Sequence, residues 1–122
     1  MENKIVSAAC KFIEHQNNEV IDSTYHLDDA EGTPCVFFYD YDEECHVLAS
    51  VRASNDGLPE GLPERKCMEA LMADALAEYG VESCSVRFDD ISMHIFDIGD
   101  DTPNSGRALL RHHKNIAGGW CG

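Results

Sequence analysis

The sequence predicts a single α/β domain over residues 1–122, with a mixed central sheet of four to five strands flanked by helices. Three observations carry that expectation. The chain opens on an amphipathic helical pattern. Two apolar runs joined by a short acidic turn read as a hairpin. A long helix with a continuous apolar stripe then precedes another strand-like run.

The opening helix is read over residues 3–16, where Ile5, Ala8, Ala9, Phe12 and Ile13 recur at helical spacing. "QNNE" at 16–19 breaks that pattern. "EVIDSTYHL" at 19–27 alternates as a strand, with Ile21, Tyr25 and Leu27 on one side, and "DDAEGTP" at 28–34 is a turn. "CVFFYDY" at 35–41 and "CHVLASVR" at 45–52 form the hairpin, which short connection makes antiparallel. "ASNDGLPEGLP" at 53–63 is irregular.

The second helix is read over residues 63–79. Met68, Leu71, Met72, Ala75, Leu76 and Tyr79 form its stripe, Pro63 and Glu64 suit its first turn, and Gly80 stops it. "SCSVRFDDISMHIFDIG" at 83–99 is strand-like but changes phase. Val86 and Phe88 share one parity, while Ile91, Met93 and Ile95 share the other, which predicts a bulge or tight turn near Asp89–Asp90. From about residue 100 the chain reads as an irregular tail, weakly helical where it begins "RALLRHHK" at 107.

Charge narrows the partners. The chain holds 23 acidic and 9 basic residues, a net charge of −14. Nucleic acid is disfavoured unless Arg52, Arg65, Lys66, Arg87, Arg107, Arg111 and Lys114 gather on one face. A protein partner is the expectation, and homodimerisation stays open. No apolar run spans a bilayer and the first residues do not read as a signal peptide, so no membrane role is expected and a cytoplasmic location is. The six cysteines form no CxxC pair and read as reduced thiols in apolar patterns.

No HExxH, phosphate-loop, GxGxxG or GxSxG stretch is present. His112 and His113 are adjacent and make a poor chelate on a helix. Asp40, Asp42 and Glu43 in the turn "YDYDEE" offer oxygen ligands for a cation, although turn carboxylates are ordinarily solvated.

Taken in order, these segments resemble the YraN family of small restriction-endonuclease-like proteins. "AACKFIEHQNNEVIDSTYH" is similar to that family's A-A-x-F-L-E helix and E-V-L-D-x-N strand. "GTPCVFFYD" falls at its G-E-I-D strand and "HVLASVRAS" at V-F-V-E-V-K-T-R. "RKCMEALMADALAEYG" resembles the following helix and "VRFDDISM" a V-R-F-D-V-V strand, and "HHKNIAG" falls at a closing H-I-x-N-A-F. The resemblance implies the PD-(D/E)xK nuclease fold. In active members, carboxylates on adjacent strands hold a divalent metal that activates water, and a lysine assists.

The implied motif residues are replaced here. The motif aspartate falls on Cys35, the motif glutamate on Ser50 and the motif lysine on Arg52. The helix glutamate falls near Val6, and the glutamate of G-E-I-D on Thr33. A thiol and a hydroxyl do not substitute for carboxylates around Mg²⁺, which prefers hard anionic oxygen, and arginine lacks the compact ammonium of lysine. The resemblance therefore implies a catalytically inactive structural or interaction protein with no cofactor. Two alternatives stay open. One is a nucleic-acid-binding protein or metal-dependent nuclease whose site has moved, with Mg²⁺ near Asp40 or Asp42. The other is an unrelated small α/β protein that binds a ligand or partner.

Overall fold

The computed structural model describes residues 2–54, 56–59, 61–82, 85–95 and 108–116. Helix α1 (Glu2–Glu14) leads to three antiparallel strands, β1 (Asn18–His26), β2 (Pro34–Asp40) and β3 (Cys45–Ser54). Helix α2 (Arg65–Glu78) crosses to β4 (Val86–Ile95), and β5 (Ala108–His113) ends the sheet. The sheet order is β1-β2-β3-β4-β5, with β3 and β4 parallel and every other pair antiparallel. The fold is thus α/β, with an open mixed sheet between two helices, as the sequence predicts.

Strand alternation divides the core in two. Val36, Phe38, Val47, Ala49, Val51, Ile91 and Met93 face α1 and pack on Ala9 and Ile13. Cys35, Phe37, Leu48 and Phe88 face α2 and pack on Met68, Met72 and Ala75. Because β2 and β3 are buried on both faces, they read as near-continuous apolar runs rather than as alternation.

Both helix stops are local. Gly80 takes φ +65°, Gly80 N–H donates to the Ala77 carbonyl and Val81 N–H to that of Leu76, which is a Schellman cap. Asn17 takes φ 58° after α1, and Asn18 Nδ2 donates to the Ile13 carbonyl at 2.9 Å. The second helix starts later than expected, with Glu64 at its N-cap and Pro63 outside it.

Two expectations are corrected. First, β4 has no bulge or turn at Asp89–Asp90. Its register with β3 runs unbroken from His46↔Val86 to Ser54↔His94. The phase change has another cause: Asp89 and Asp90 fill interior positions, one on each face, and both are fully buried. Second, residues 108–113 are strand β5 and not a weak helix or an irregular tail. Ala, Leu and Arg are good helix formers, so local propensity misleads here. The open edge of β4 decides otherwise, pairing Asp90↔His113 through Ile95↔Ala108. Residues 100–107, Cys84 and Cys121 lie outside the described residues.

Among the described residues, no helix is long and apolar enough to cross a membrane.

Candidate functional site

Of the five positions that the resemblance singles out, the sheet register brings Cys35, Ser50 and Arg52 onto neighbouring strands. Cys35 on β2 pairs with Ser50 on β3, and Ser50 pairs with Asp90 on β4. All three side chains point to the α2 face, and Arg52 follows two residues on. Val6 does not join them: it packs with the apolar cluster on the α1 face.

Asp90 is the centre of this group. Its Oδ1 accepts from Ser50 Oγ at 2.6 Å and from Arg52 Nε at 2.8 Å. Its Oδ2 accepts from Arg52 Nη2 at 2.8 Å and from Ser92 Oγ at 2.6 Å. The carboxylate is therefore surrounded by donors, with a bidentate guanidinium cancelling its charge. The Asp90 side chain is 0% exposed and that of Arg52 only 16%. Arg52 Nη2 also donates to the Gly61 carbonyl at 2.8 Å, which ties the loop after β3 to the sheet.

Cys35 adds no ligand to this group. Burial pushes its thiol pKa up, and the nearby Asp29 and Asp90 carboxylates push it further, so it stays protonated at neutral pH. Its Sγ contacts the Thr33 carbonyl at 3.8 Å. Thr33 itself is held in the β1–β2 turn, its backbone N–H and hydroxyl both donating to Asp29.

A second buried network occupies the α1 face. Arg87 donates from Nε to Asp89 Oδ1 at 2.8 Å and from Nη2 to Asp89 Oδ2 at 2.9 Å. Its Nη1 donates to Asp40 Oδ2 at 2.8 Å. His112 Nε2 lies 2.7 Å from Asp89 Oδ2, and Asn115 N–H donates to Asp89 Oδ1 at 2.9 Å. Burial raises the pKa of Asp89, but His112, Arg87 and the Asn115 amide outweigh it and hold the group below the ordinary carboxylate range. Asp40 follows the same balance, with Arg87 and the Glu43 and Asp42 amides as the lowering partners.

The acidic turn consequently does not present a set of converging ligands. Asp40 Oδ1 caps the amides of Asp42 and Glu43, at 2.9 and 3.1 Å. Asp42 accepts from Asn17 Nδ2 at 2.8 Å at the surface. Among the described residues, no three His, Cys, Asp or Glu side chains gather to hold a metal ion. His112 and His113 sit on a strand, so they point to opposite faces, with His112 inward against Phe12.

A cleft of about 720 Å³ opens beside Arg52, at the carboxyl end of β3. Asp29, Glu31 and Glu64 line it with Arg52, Ser54 and Ile5. Three carboxylates against one guanidinium that already binds Asp90 make it a poor seat for a phosphate. The basic residues are also divided: Arg52 and Arg87 serve internal carboxylates on opposite faces, and Arg65 pairs with Glu69 along α2 at 3.1 Å. Arg107 lies outside the described residues.

Asp89, Asp90 and His112 are the residues that sequence reasoning missed. The signal was present in "VRFDDIS", where two acids stand in an apolar alternation beside Arg87. Comparison with family models, with curated proteins and with solved structures finds no match to this chain.

Proposed function

We propose that this chain is a catalytically inactive relative of the YraN-type restriction-endonuclease-like proteins, acting as an interaction protein on a rigid α/β scaffold. One observation carries the reading. Beside Ser50, where the resemblance would put a metal-holding glutamate, Asp90 stands with four donors around it, two of them from Arg52. A carboxylate so engaged has to break a buried ion pair before it can ligate a cation. The neighbouring positions offer a protonated thiol at Cys35 and a hydroxyl at Ser50, which are poor ligands for Mg²⁺. The acidic cleft and the net charge of −14 further disfavour a phosphodiester substrate.

The test is incubation of the full chain with single-stranded and branched DNA in Mg²⁺ and in Mn²⁺. No metal-dependent cleavage is expected. Cleavage that Asp90→Asn or Ser50→Ala abolishes would overturn the reading.

A further inference from the structure

At the opposite end of the sheet from the cleft, the α2 face carries a continuous run of rings. Tyr25 meets Phe37, Phe37 meets Tyr79 and His46, His46 meets Tyr39, and Tyr39 meets Tyr41, with ring centroids 4.9–6.4 Å apart. Helix α2 ends at Glu78, and along the row Tyr39–His46–Val86 the two rings are half-buried while Val86 is exposed. Tyr41, Tyr79 and Val86 are 49, 43 and 42% exposed, three of the five large apolar or aromatic side chains that stand exposed among the described residues.

Carboxylates are placed among these rings in a specific way. The hydroxyls of Tyr41, Tyr79 and Tyr25 donate to Glu19, Asp22 and Glu78 respectively. Register shifts on either side of Asp22 in β1 aim it toward Tyr79. Each pair fixes a ring and a carboxylate together, so the surface is organised before anything binds. Among the described residues, none of the three carboxylates is paired with an arginine or lysine, unlike the buried Asp40, Asp89 and Asp90.

From this we infer that the Tyr39–Tyr41–His46–Tyr79 face is a docking surface for a basic, arginine- or lysine-bearing segment of a partner protein. The inference rests on the interaction-protein reading above and specifies the partner's chemistry. Ring faces stack on guanidinium and ammonium groups, and the adjoining carboxylates accept their hydrogen bonds. Aromatic side chains dominate the binding energy of protein interfaces. The charge of −14 steers a cationic segment inward and repels nucleic acid. The row of rings is longer than a single amine requires, which favours a chain carrying several cations.

The experiment is a titration of the ¹⁵N-labelled full chain with a short peptide bearing arginine at alternate positions, and with its Arg→Gln counterpart. Saturable binding of the arginine peptide alone is expected, weaker at high salt, with amide shifts centred on Tyr39, Tyr41, His46 and Tyr79. Tyr41→Ala and Tyr79→Ala should each weaken it about tenfold. Glu19→Gln, which keeps the ring, should weaken it several-fold. Glu14→Gln, on α1 at the other face, should change it less than about twofold. Thermal melts of each variant separate lost binding from lost folding. Absence of saturable binding, or shifts spread over the acidic surface with equal losses in Glu14→Gln, overturns the inference. The nuclease assay is independent of either result, so the two readings fail separately.

Discussion

Asp89 and Asp90 are neighbours in the chain, yet their carboxylates lie on opposite faces of the sheet, each gripped by its own arginine. Arg87 holds Asp89 with two nitrogens on the α1 face, and Arg52 holds Asp90 with two on the α2 face. The strand is parallel to β3 through this point and fully in register. Its centre is therefore an electrostatic clamp through the thickness of the sheet.

Removing one side of that clamp should be costly. Arg52→Met leaves Asp90 buried with only the Ser50 and Ser92 hydroxyls, and should lower stability by about 3 kcal/mol in urea denaturation. Arg52→Met combined with Asp90→Leu should recover part of that loss, since replacing a buried pair by apolar groups is often close to neutral. A loss below about 1 kcal/mol for Arg52→Met would mean the pair is solvated in solution.

Restoring the acid that the resemblance leads one to expect should not restore a site. Ser50→Glu brings a second carboxylate to a position whose present hydroxyl sits 2.6 Å from Asp90. Like charges so close and so buried disfavour each other's ionisation, and the larger side chain has no room. The variant should be destabilised by several kcal/mol and gain no nuclease activity. Wild-type stability in a thermal melt would show that the pocket is looser than its burial implies.

Acid should act through the α1-face network. Asp89 and Asp40 have folded pKa values below the ordinary carboxylate range. The stability they contribute is present above the unfolded carboxylate pKa of about 4, and is lost as pH falls through the lower folded values. Asp89→Asn should make the protein less stable at neutral pH and flatten the acid limb of its stability curve. An acid limb unchanged by Asp89→Asn would place the titrating groups elsewhere.

Alkali should act on the aromatic face with the opposite sign. Hydrogen bonding to Asp22, then burial, raises Tyr79 to about 12, and Glu19 raises Tyr41. A raised folded pKa gives stability that is fully present below the unfolded tyrosine pKa of about 10 and lost as pH rises toward 12. Ultraviolet titration should therefore find tyrosines ionising late, and Tyr79→Phe should remove one of them. Tyr25, Tyr41 and Tyr79 titrating together near the ordinary tyrosine value of about 10 would contradict the hydroxyl–carboxylate pairs.

The order and type of the first six elements were legible because their patterns are local. The stripe of α2, the short turn between β2 and β3, and Gly80 as a stop each follow from side-chain spacing or backbone preference. Strand β5 was not legible, since "ALLRHH" becomes a strand only because β4 offers an unpaired edge. The buried aspartates were half legible. Their interruption of the alternation was visible, but a bulge and a buried ion pair leave the same mark in one sequence. Arg52 and Arg87 decide between them, and their distance from Asp90 and Asp89 is a property of the register between β3 and β4. The resemblance placed Cys35 on one strand and Ser50 and Arg52 on the next, and the β2–β3 register sets Cys35 opposite Ser50. Val6, by contrast, lies on the other face, because strand parity in the sheet and helix phase in α1 are set independently.

The strand order repeats the chain order, and this bears on how the molecule assembles. Strands β1 to β3 are joined by neighbouring antiparallel pairings, which close quickly because little chain must be looped out. The pairing of β3 with β4 is the one step that waits for a long crossover. The arrival of β4 brings Asp90 to Arg52 and Arg87 to Asp40 in the same event. Docking of β4 is thus the step at which two charges on opposite faces are desolvated together, and ionic strength and pH should bear on the folding rate there more than at any hairpin closure.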